Sequence, residues 1–133
     1  MRLTNTRFTV TAGAIILNKE GKVLLLKHYF RAGSGWGIPG GFMTSGEQPI
    51  ETLRRELQEE IGLELDDVEI FWARSFKRPR QVEILFRAIS SAEPEPQSME
   101  VESASWFALD ALPSGLPSDQ KRLIERAVEK WRV

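Results

Sequence analysis

A glycine-containing loop that leads into an acidic helix, residues 41–63, limits the fold of this chain more than any other feature. Proline is tolerated only in the first turn of a helix, so the helix starts between Gly46 and Pro49, and Gly62 ends it. At about 100° per residue, four apolar side chains fall on one stripe. That stripe predicts the face that packs on the core: Ile50, Leu53, Leu57 and Ile61.

Three carboxylates, Glu56, Glu59 and Glu60, occupy the arc beside this stripe. Their spacing of i, i+3 and i+4 places them on neighbouring turns of one face, where like charges repel. Hard divalent cations such as Mg²⁺ prefer oxygen ligands of this kind, so the cluster predicts a metal site. A solvated helix face with ion pairs, such as Arg55 with Glu59, would explain the same composition.

The remaining segments predict a single domain, residues 1–133, with strands and helices in the order β-β-loop-α-β-β-β-α. Apolar, β-branched residues 7–17 and 22–30 predict a hairpin closed at residues 18–21. Glycine-rich residues 31–41 predict no regular structure. Further strands are predicted at 68–76, 81–89 and 101–107, a helical turn at 109–113 and a last helix at 118–131. This order predicts an α/β fold with a mixed β-sheet between helices.

Composition excludes several classes of site. The chain has no cysteine and one histidine, His28, which rules out disulfides, thiolate chemistry and a multi-histidine metal site within one chain. The net charge of −1 gives no overall attraction to a nucleic acid polymer or an anionic membrane, and neither is expected as a partner. No apolar run reaches transmembrane length, so we expect a cytoplasmic protein.

Residues 41–63 match the pattern G-x5-E-x7-R-E-U-x-E-E-x-G-U, in which U is a bulky aliphatic residue. This pattern is the Nudix box, and the chain resembles the Nudix hydrolases of the MutT-like kind. "GWGIPGG" before the box and "SWF" near the end of the chain are also similar. The resemblance implies the Nudix α/β/α sandwich. It also implies Mg²⁺- or Mn²⁺-dependent hydrolysis of a nucleoside diphosphate linked to another moiety, by water attack on phosphorus.

The resemblance also implies roles for residues of the box. The metal-binding carboxylates would be Glu56, Glu59 and Glu60, and the carbonyl of Gly41 would be a further ligand. Arg55 would orient a box glutamate through an ion pair, and Glu47 would brace the loop against the helix.

Residues outside the box are predicted from their chemistry. Arg31, Arg78 and Arg80 could bind phosphate, although ordinary surface charge explains them as well. A metal-bound water benefits from a carboxylate that takes its proton, and for this general base we expect Glu100 first and Glu102 second. A box glutamate is the alternative base. A structural or surface role is expected for His28.

Two classes of function remain open from the sequence. One is a metal-dependent pyrophosphohydrolase, and the other is a module that senses a nucleotide without cleaving it. Within the enzyme class, a (d)NTP pyrophosphohydrolase stands beside an ADP-ribose or nucleotide-sugar pyrophosphatase, because specificity lies in loops outside the box. The expected partner is a nucleotide-type small molecule, and the resemblance allows a homodimer.

Overall fold

A computed structural model describes residues 5–30 and 33–131 of the chain. Along this part of the chain, seven strands and two helices follow one another. They are β1 (Thr9–Leu17), β2 (Val23–His28), β3 (Trp36–Gly37), β4 (Gly40–Phe42), α1 (Pro49–Ile61), β5 (Val68–Lys77), β6 (Arg80–Ile89), β7 (Val101–Phe107) and α2 (Ser118–Trp131).

The strands form one mixed sheet in the order β3-β2-β1-β6-β5, with β4 paired to β1 and β7 paired to β2. Strands β1 and β6 run parallel, from Thr9 opposite Gln81 to Leu17 opposite Ile89. The other pairings are antiparallel. The predicted mixed sheet is therefore confirmed.

One helix packs on each face of the sheet. Strand side chains alternate between the two faces, so both faces carry apolar residues for a helix to cover. On β1 and β2, the α1 face carries Ala12, Ala14, Ile16, Leu24 and Leu26, which pack with Leu53, Leu57 and Ile61. The α2 face carries Ile15, Leu17, Val23 and Leu25, which pack with Leu123, Ile124, Ala127 and Val128. This arrangement is the predicted α/β/α sandwich.

Helix α1 has the bounds that its sequence predicts. It begins at Pro49, and the side chain of Glu51 accepts a hydrogen bond from the backbone N–H of Gln48 at 2.8 Å. It ends at Gly62, which has φ +64° and the left-handed conformation that favours glycine. Leu53, Leu57 and Ile61 are buried, and Ile50 packs against them, so the predicted apolar stripe is confirmed.

Three local predictions were wrong or incomplete. The β1–β2 hairpin closes only at Leu17 opposite Val23, and the rest of β2 pairs with β3 and β7. Glycine-rich residues 31–41 contain β3 and the start of β4, because β1 and β2 offer these segments backbone partners that local sequence does not reveal. Residues 109–113 form no helix; Ala111 N–H donates to Ala108 O at 3.0 Å in a single turn.

Neither helix in the described part of the chain has the length and apolar character needed to cross a bilayer.

Candidate active site

Arg55 organises the first half of the candidate site by linking α1 to the loop before it. Its Nε donates to Oε2 of Glu47 at 2.7 Å, and its Nη2 donates to Oε1 at 3.0 Å. Oε1 of Glu47 also accepts from Thr44 N–H at 3.0 Å and from the Thr52 hydroxyl at 2.8 Å. These bonds, with that of Arg55 first, hold the pKa of Glu47 well below its usual range. The expected brace between loop and helix is present.

Glu56 lies under the glycine turn, which is formed by Gly40 and Gly41 at the start of β4. A Cβ added to Gly41 would come within 2.4 Å of the Glu56 carboxyl carbon, so only glycine brings the backbone this close to the carboxylate. Nη1 of Arg55 donates to Oε1 of Glu56 at 2.9 Å. The pKa of Glu56 is nevertheless raised to about 7, first because burial disfavours the anion and second because the Glu60 carboxyl lies beside it.

Glu60 is the buried carboxylate of the site, with a side chain that is 7% exposed. Its Oε2 lies 2.9 Å from Nε2 of His28, at the end of β2. Its Oε1 is buried with no N–H or hydroxyl donor among the described residues, and the carboxyl groups of Glu60 and Glu56 lie within hydrogen-bonding distance of each other. Glu56 and Glu60 therefore form an inward-facing acidic pair with one oxygen atom unsatisfied.

Glu59 is placed differently from the other two carboxylates. Its side chain is 60% exposed, and Oε2 lies 3.4 Å from Nη1 of Arg55. Within residues 5–30 and 33–131, no three acidic or histidine side chains converge closely enough to enclose a metal ion. The structure thus brings Glu56 and Glu60 together, with Gly41 beside Glu56, and leaves Glu59 at the rim on Arg55.

The two candidate bases are separated by the start of β7. This strand begins at Val101, which is paired with His28, and the carbonyl of Glu100 accepts a hydrogen bond from Tyr29 N–H at 3.0 Å. Glu100 is therefore exposed on the loop next to the His28 end of β2. Glu102 has no partner on β2, because the register of β2 and β7 shifts between Lys27 and His28, and its carboxylate lies 3.6 Å from Nζ of Lys27. The geometry favours Glu100 over Glu102.

The predicted phosphate-binding arginines lie outside the glutamate cluster. Arg78 and Arg80 are exposed at the β5–β6 turn. Arg80 precedes Gln81, the partner of Thr9, whereas Gly41 is the partner of Ala12. Three residues of strand, roughly 10 Å, separate the two positions along β1. Arg31 lies outside the described residues.

The role of His28 as the partner of Glu60 was not predicted from the sequence. A signal was available, because Leu24, Leu26 and His28 alternate along β2, and the first two pack beneath α1. Only the pairing of strands far apart in sequence brings the end of β2 to the end of α1.

A cavity of about 200 Å³ adjoins the same glycine turn on the α2 face of the sheet. Its polar side chains come from β1, β6 and α2: Thr11, Gln81, Glu83 and Gln120. Glu83 accepts a hydrogen bond from Nε of Arg74 at 2.6 Å, and the Gln120 side chain accepts one from Ile38 N–H at 2.9 Å. None of these four had been predicted as a site residue, since they are polar residues without a motif.

The sequence of the chain is similar to those of named hydrolases. The chain is 32% identical over 129 residues to the NAD-capped RNA hydrolase NudC of Chromobacterium violaceum, a match that covers 92% of this chain and 48% of the relative. It is 35% identical over 124 residues to the RNA pyrophosphohydrolase of Actinobacillus succinogenes, covering 90% and 58%. The chain thus spans about half the length of the curated relatives it matches.

Solved structures show the same fold. The MutT NUDIX hydrolase of Burkholderia pseudomallei superposes with a TM-score of 0.79 at 28% identity, over 90% of this chain and 98% of that one. The NUDIX domain of Shewanella oneidensis NrtR, solved with ADP ribose, superposes with a TM-score of 0.79 at 24% identity, over 96% and 90%. Residues 7–127 match the model of the NUDIX domain. The chain therefore belongs to the NUDIX domain family.

Proposed function

We propose that this chain hydrolyses the pyrophosphate bond of a nucleoside diphosphate linked to another moiety, with Mg²⁺ or Mn²⁺ as cofactor. The observation that carries the proposal is the inward-facing pair Glu56 and Glu60 beneath the glycine turn. Two anionic side chains in this position would repel a diphosphate unless cations lay between them.

The residues present fit a hard divalent ion. Oε1 of Glu60 is buried without a donor from the described residues, and the absence of a side chain at Gly41 leaves backbone beside the Glu56 carboxylate. We infer that Glu56 and Glu60 would hold the ion together with the carbonyl of Gly41, and that the exposed Glu59 would join them by leaving Arg55, which gives an all-oxygen set that Mg²⁺ and Mn²⁺ favour. When bound, the ion would neutralise charge on the phosphate oxygens and lower the pKa of water.

The protein's own groups would prepare the reaction around that ion. Arg55 orients Glu56 and Glu59, and Glu47 fixes Arg55. Glu100 would take the proton of the attacking water. The water oxygen would bond to phosphorus while the bridging P–O bond breaks. Arg78 and Arg80, and Arg31 by its sequence position, would bind phosphate oxygens.

The nucleoside part of the substrate would occupy the cavity on the α2 face of the sheet. Its carboxylate and two amides can accept and donate hydrogen bonds to a base or ribose. Relatives named as NAD-capped RNA hydrolases favour an ADP-ribose or NAD-type substrate over a free (d)NTP. The names of these relatives include RNA, so they do not support the expectation that a nucleic acid polymer is no partner. Capped RNA therefore belongs among the substrates tested.

A nucleotide-binding module without turnover is the second candidate, since an NrtR NUDIX domain of the same fold has been solved with ADP ribose. The intact set Glu56, Glu59 and Glu60 favours hydrolysis, because binding alone does not need all three carboxylates.

The test is turnover of a substrate panel with Mg²⁺ or Mn²⁺: ADP-ribose, NAD, nucleotide sugars, dinucleoside polyphosphates, canonical and oxidised (d)NTPs, NAD-capped RNA and RNA with a 5′ triphosphate. We expect hydrolysis of at least one diphosphate compound and loss of that activity in excess EDTA. Full turnover in EDTA would refute the metal assignment. Tight binding of ADP-ribose without any product would establish the binding module instead.

A further inference from the structure

We propose that His28 is a positioning residue for Glu60: it holds Oε2 and so presents Oε1 to the metal. This inference rests on the proposed function, because it assigns a task to His28 only if Glu60 is a metal ligand. His28 itself would touch neither the metal nor the substrate.

The contact between the two side chains is short and shielded from water. Nε2 of His28 lies 2.9 Å from Oε2 of Glu60, and the side chains are 15% and 7% exposed. An ionised carboxylate can only accept hydrogen bonds, so Nε2 is the donor. A charged acceptor at this burial needs such a donor, because an unpaired buried charge is costly.

The main chain of Glu60 is held independently of its side chain. Its carbonyl accepts a hydrogen bond from Gln97 N–H at 2.9 Å, and the neighbouring Ile61 carbonyl accepts one from Glu95 N–H at 2.9 Å. The backbone at the end of α1 is thus fixed by the loop before β7. The freedom left to Glu60 lies in its side-chain torsions, and His28 restricts these.

The two carboxylate oxygens of Glu60 differ in hydrogen bonding, and this difference indicates a role beyond stability. A purely structural pair would satisfy both oxygens, since buried acceptors are nearly always hydrogen-bonded. Here Oε2 has its donor, whereas Oε1 has no N–H or hydroxyl donor among the described residues and Glu60 has only the Glu56 carboxyl as a further side-chain neighbour. Nδ1 of His28 is likewise buried without a partner among the described residues. Groups that hydrogen-bond a metal-ligating carboxylate fix its orientation, and their loss typically weakens metal affinity about 10–100-fold.

The test compares two amide substitutions of different reach, His28→Gln and His28→Asn. Glutamine can place an N–H near the position of Nε2, whereas asparagine reaches only the position of Nδ1. In Mn²⁺ titrations followed by electron paramagnetic resonance without substrate, His28→Asn should raise the dissociation constant about 10–100-fold. His28→Gln should stay close to the wild-type value. In a Glu60→Gln background, His28→Asn should have no further effect.

Glu60→Gln alone separates the failure of this inference from failure of the proposed function. Wild-type Mn²⁺ affinity in a folded His28→Asn variant, with affinity lost in Glu60→Gln, would overturn the role of His28 only. Wild-type affinity in Glu60→Gln would overturn the metal site itself. If His28→Asn does not fold, His28→Leu, which fills similar space without a donor, takes its place. If neither folds while His28→Gln does, His28 serves the fold and the inference is wrong.

Discussion

The carboxylates at the two ends of α1 differ in how many hydrogen-bond donors they have. Next to its N-terminal end, Glu47 accepts hydrogen bonds from Arg55, Thr44 and Thr52. At its C-terminal end, Glu60 is more deeply buried than Glu56, yet it has His28 on one oxygen and no N–H or hydroxyl donor from the described residues on the other. Burial by itself does not separate a bracing carboxylate from a ligand; the number of donors does. A satisfied carboxylate fixes structure, whereas an unsatisfied one retains lone pairs for a cation.

The largest effect is expected from the loop that docks on the C-terminal end of α1. If Glu100 is the general base, Glu100→Gln should lower kcat by about 10²–10⁴-fold, because proton transfer from water is lost. Mn²⁺ affinity should not change, since Glu100 is not a proposed ligand. Glu102→Gln is the matched control, because its carboxylate pairs with Lys27, and it should retain most activity. Loss of less than tenfold in both variants would return the base to the box, with Glu56 or Glu59 as the candidate.

The next effect contrasts the two ends of the helix directly. Glu59→Gln and Glu60→Gln should each lower kcat by at least about 10²-fold, since a charged metal ligand is lost while volume is kept. Glu47→Gln should cost far less in kcat but should lower the Tm, because Arg55 loses its best acceptor. Steady-state kinetics and thermal unfolding of the three variants measure both quantities. Equal loss of kcat at Glu47 and Glu60 would erase the distinction between brace and ligand.

The sequence predicts this helix far better than its surroundings. Pro49, Gly62 and the apolar stripe are local signals, and the observed bounds and buried face follow them. The short strands β3 and β4 and the parallel pairing of β1 with β6 depend on partners distant in the chain. For the same reason His28 was not connected to Glu60 beforehand. Spacing also placed Glu59 beside Glu56 and Glu60, whereas Arg55 and solvent hold it at the rim.

A smaller effect is expected at Arg55, which joins the two ends. Arg55→Lys keeps the charge but cannot reproduce the forked contacts to Glu47 and Glu56. We expect kcat to fall by about tenfold or more and the Tm to drop by several degrees. Arg122→Lys, at an exposed position of α2, is the control for charge-conserving substitution. An Arg55→Lys enzyme with unchanged kcat and Tm would contradict the role of Arg55 in orienting the glutamates and linking the loop to α1.

The smallest effect concerns stability and pH without metal. The pKa of Glu56 is raised from 4.5 to about 7 in the folded chain, so the folded state binds this proton more tightly than the unfolded state. The resulting stabilisation is full below about 4.5 and is lost as the pH rises through about 7. In EDTA, Glu56→Gln should therefore be more stable than wild type at pH 8, by on the order of 1–3 kcal/mol. The difference in the free energy of unfolding between Glu56→Gln and wild type should narrow toward pH 5. Denaturant unfolding at several pH values measures it, and a pH-independent gap would contradict the assignment.

The most direct test of the contrast between the two ends is the rise in Tm that Mn²⁺ causes. A ligand that binds only the folded state stabilises it in proportion to the logarithm of its concentration above the dissociation constant. We predict that saturating Mn²⁺ raises the Tm of wild type and of Glu47→Gln by similar amounts, and raises that of Glu60→Gln little or not at all. An equal rise in all three proteins would contradict the claim that Glu60, and not Glu47, is the carboxylate kept for a cation.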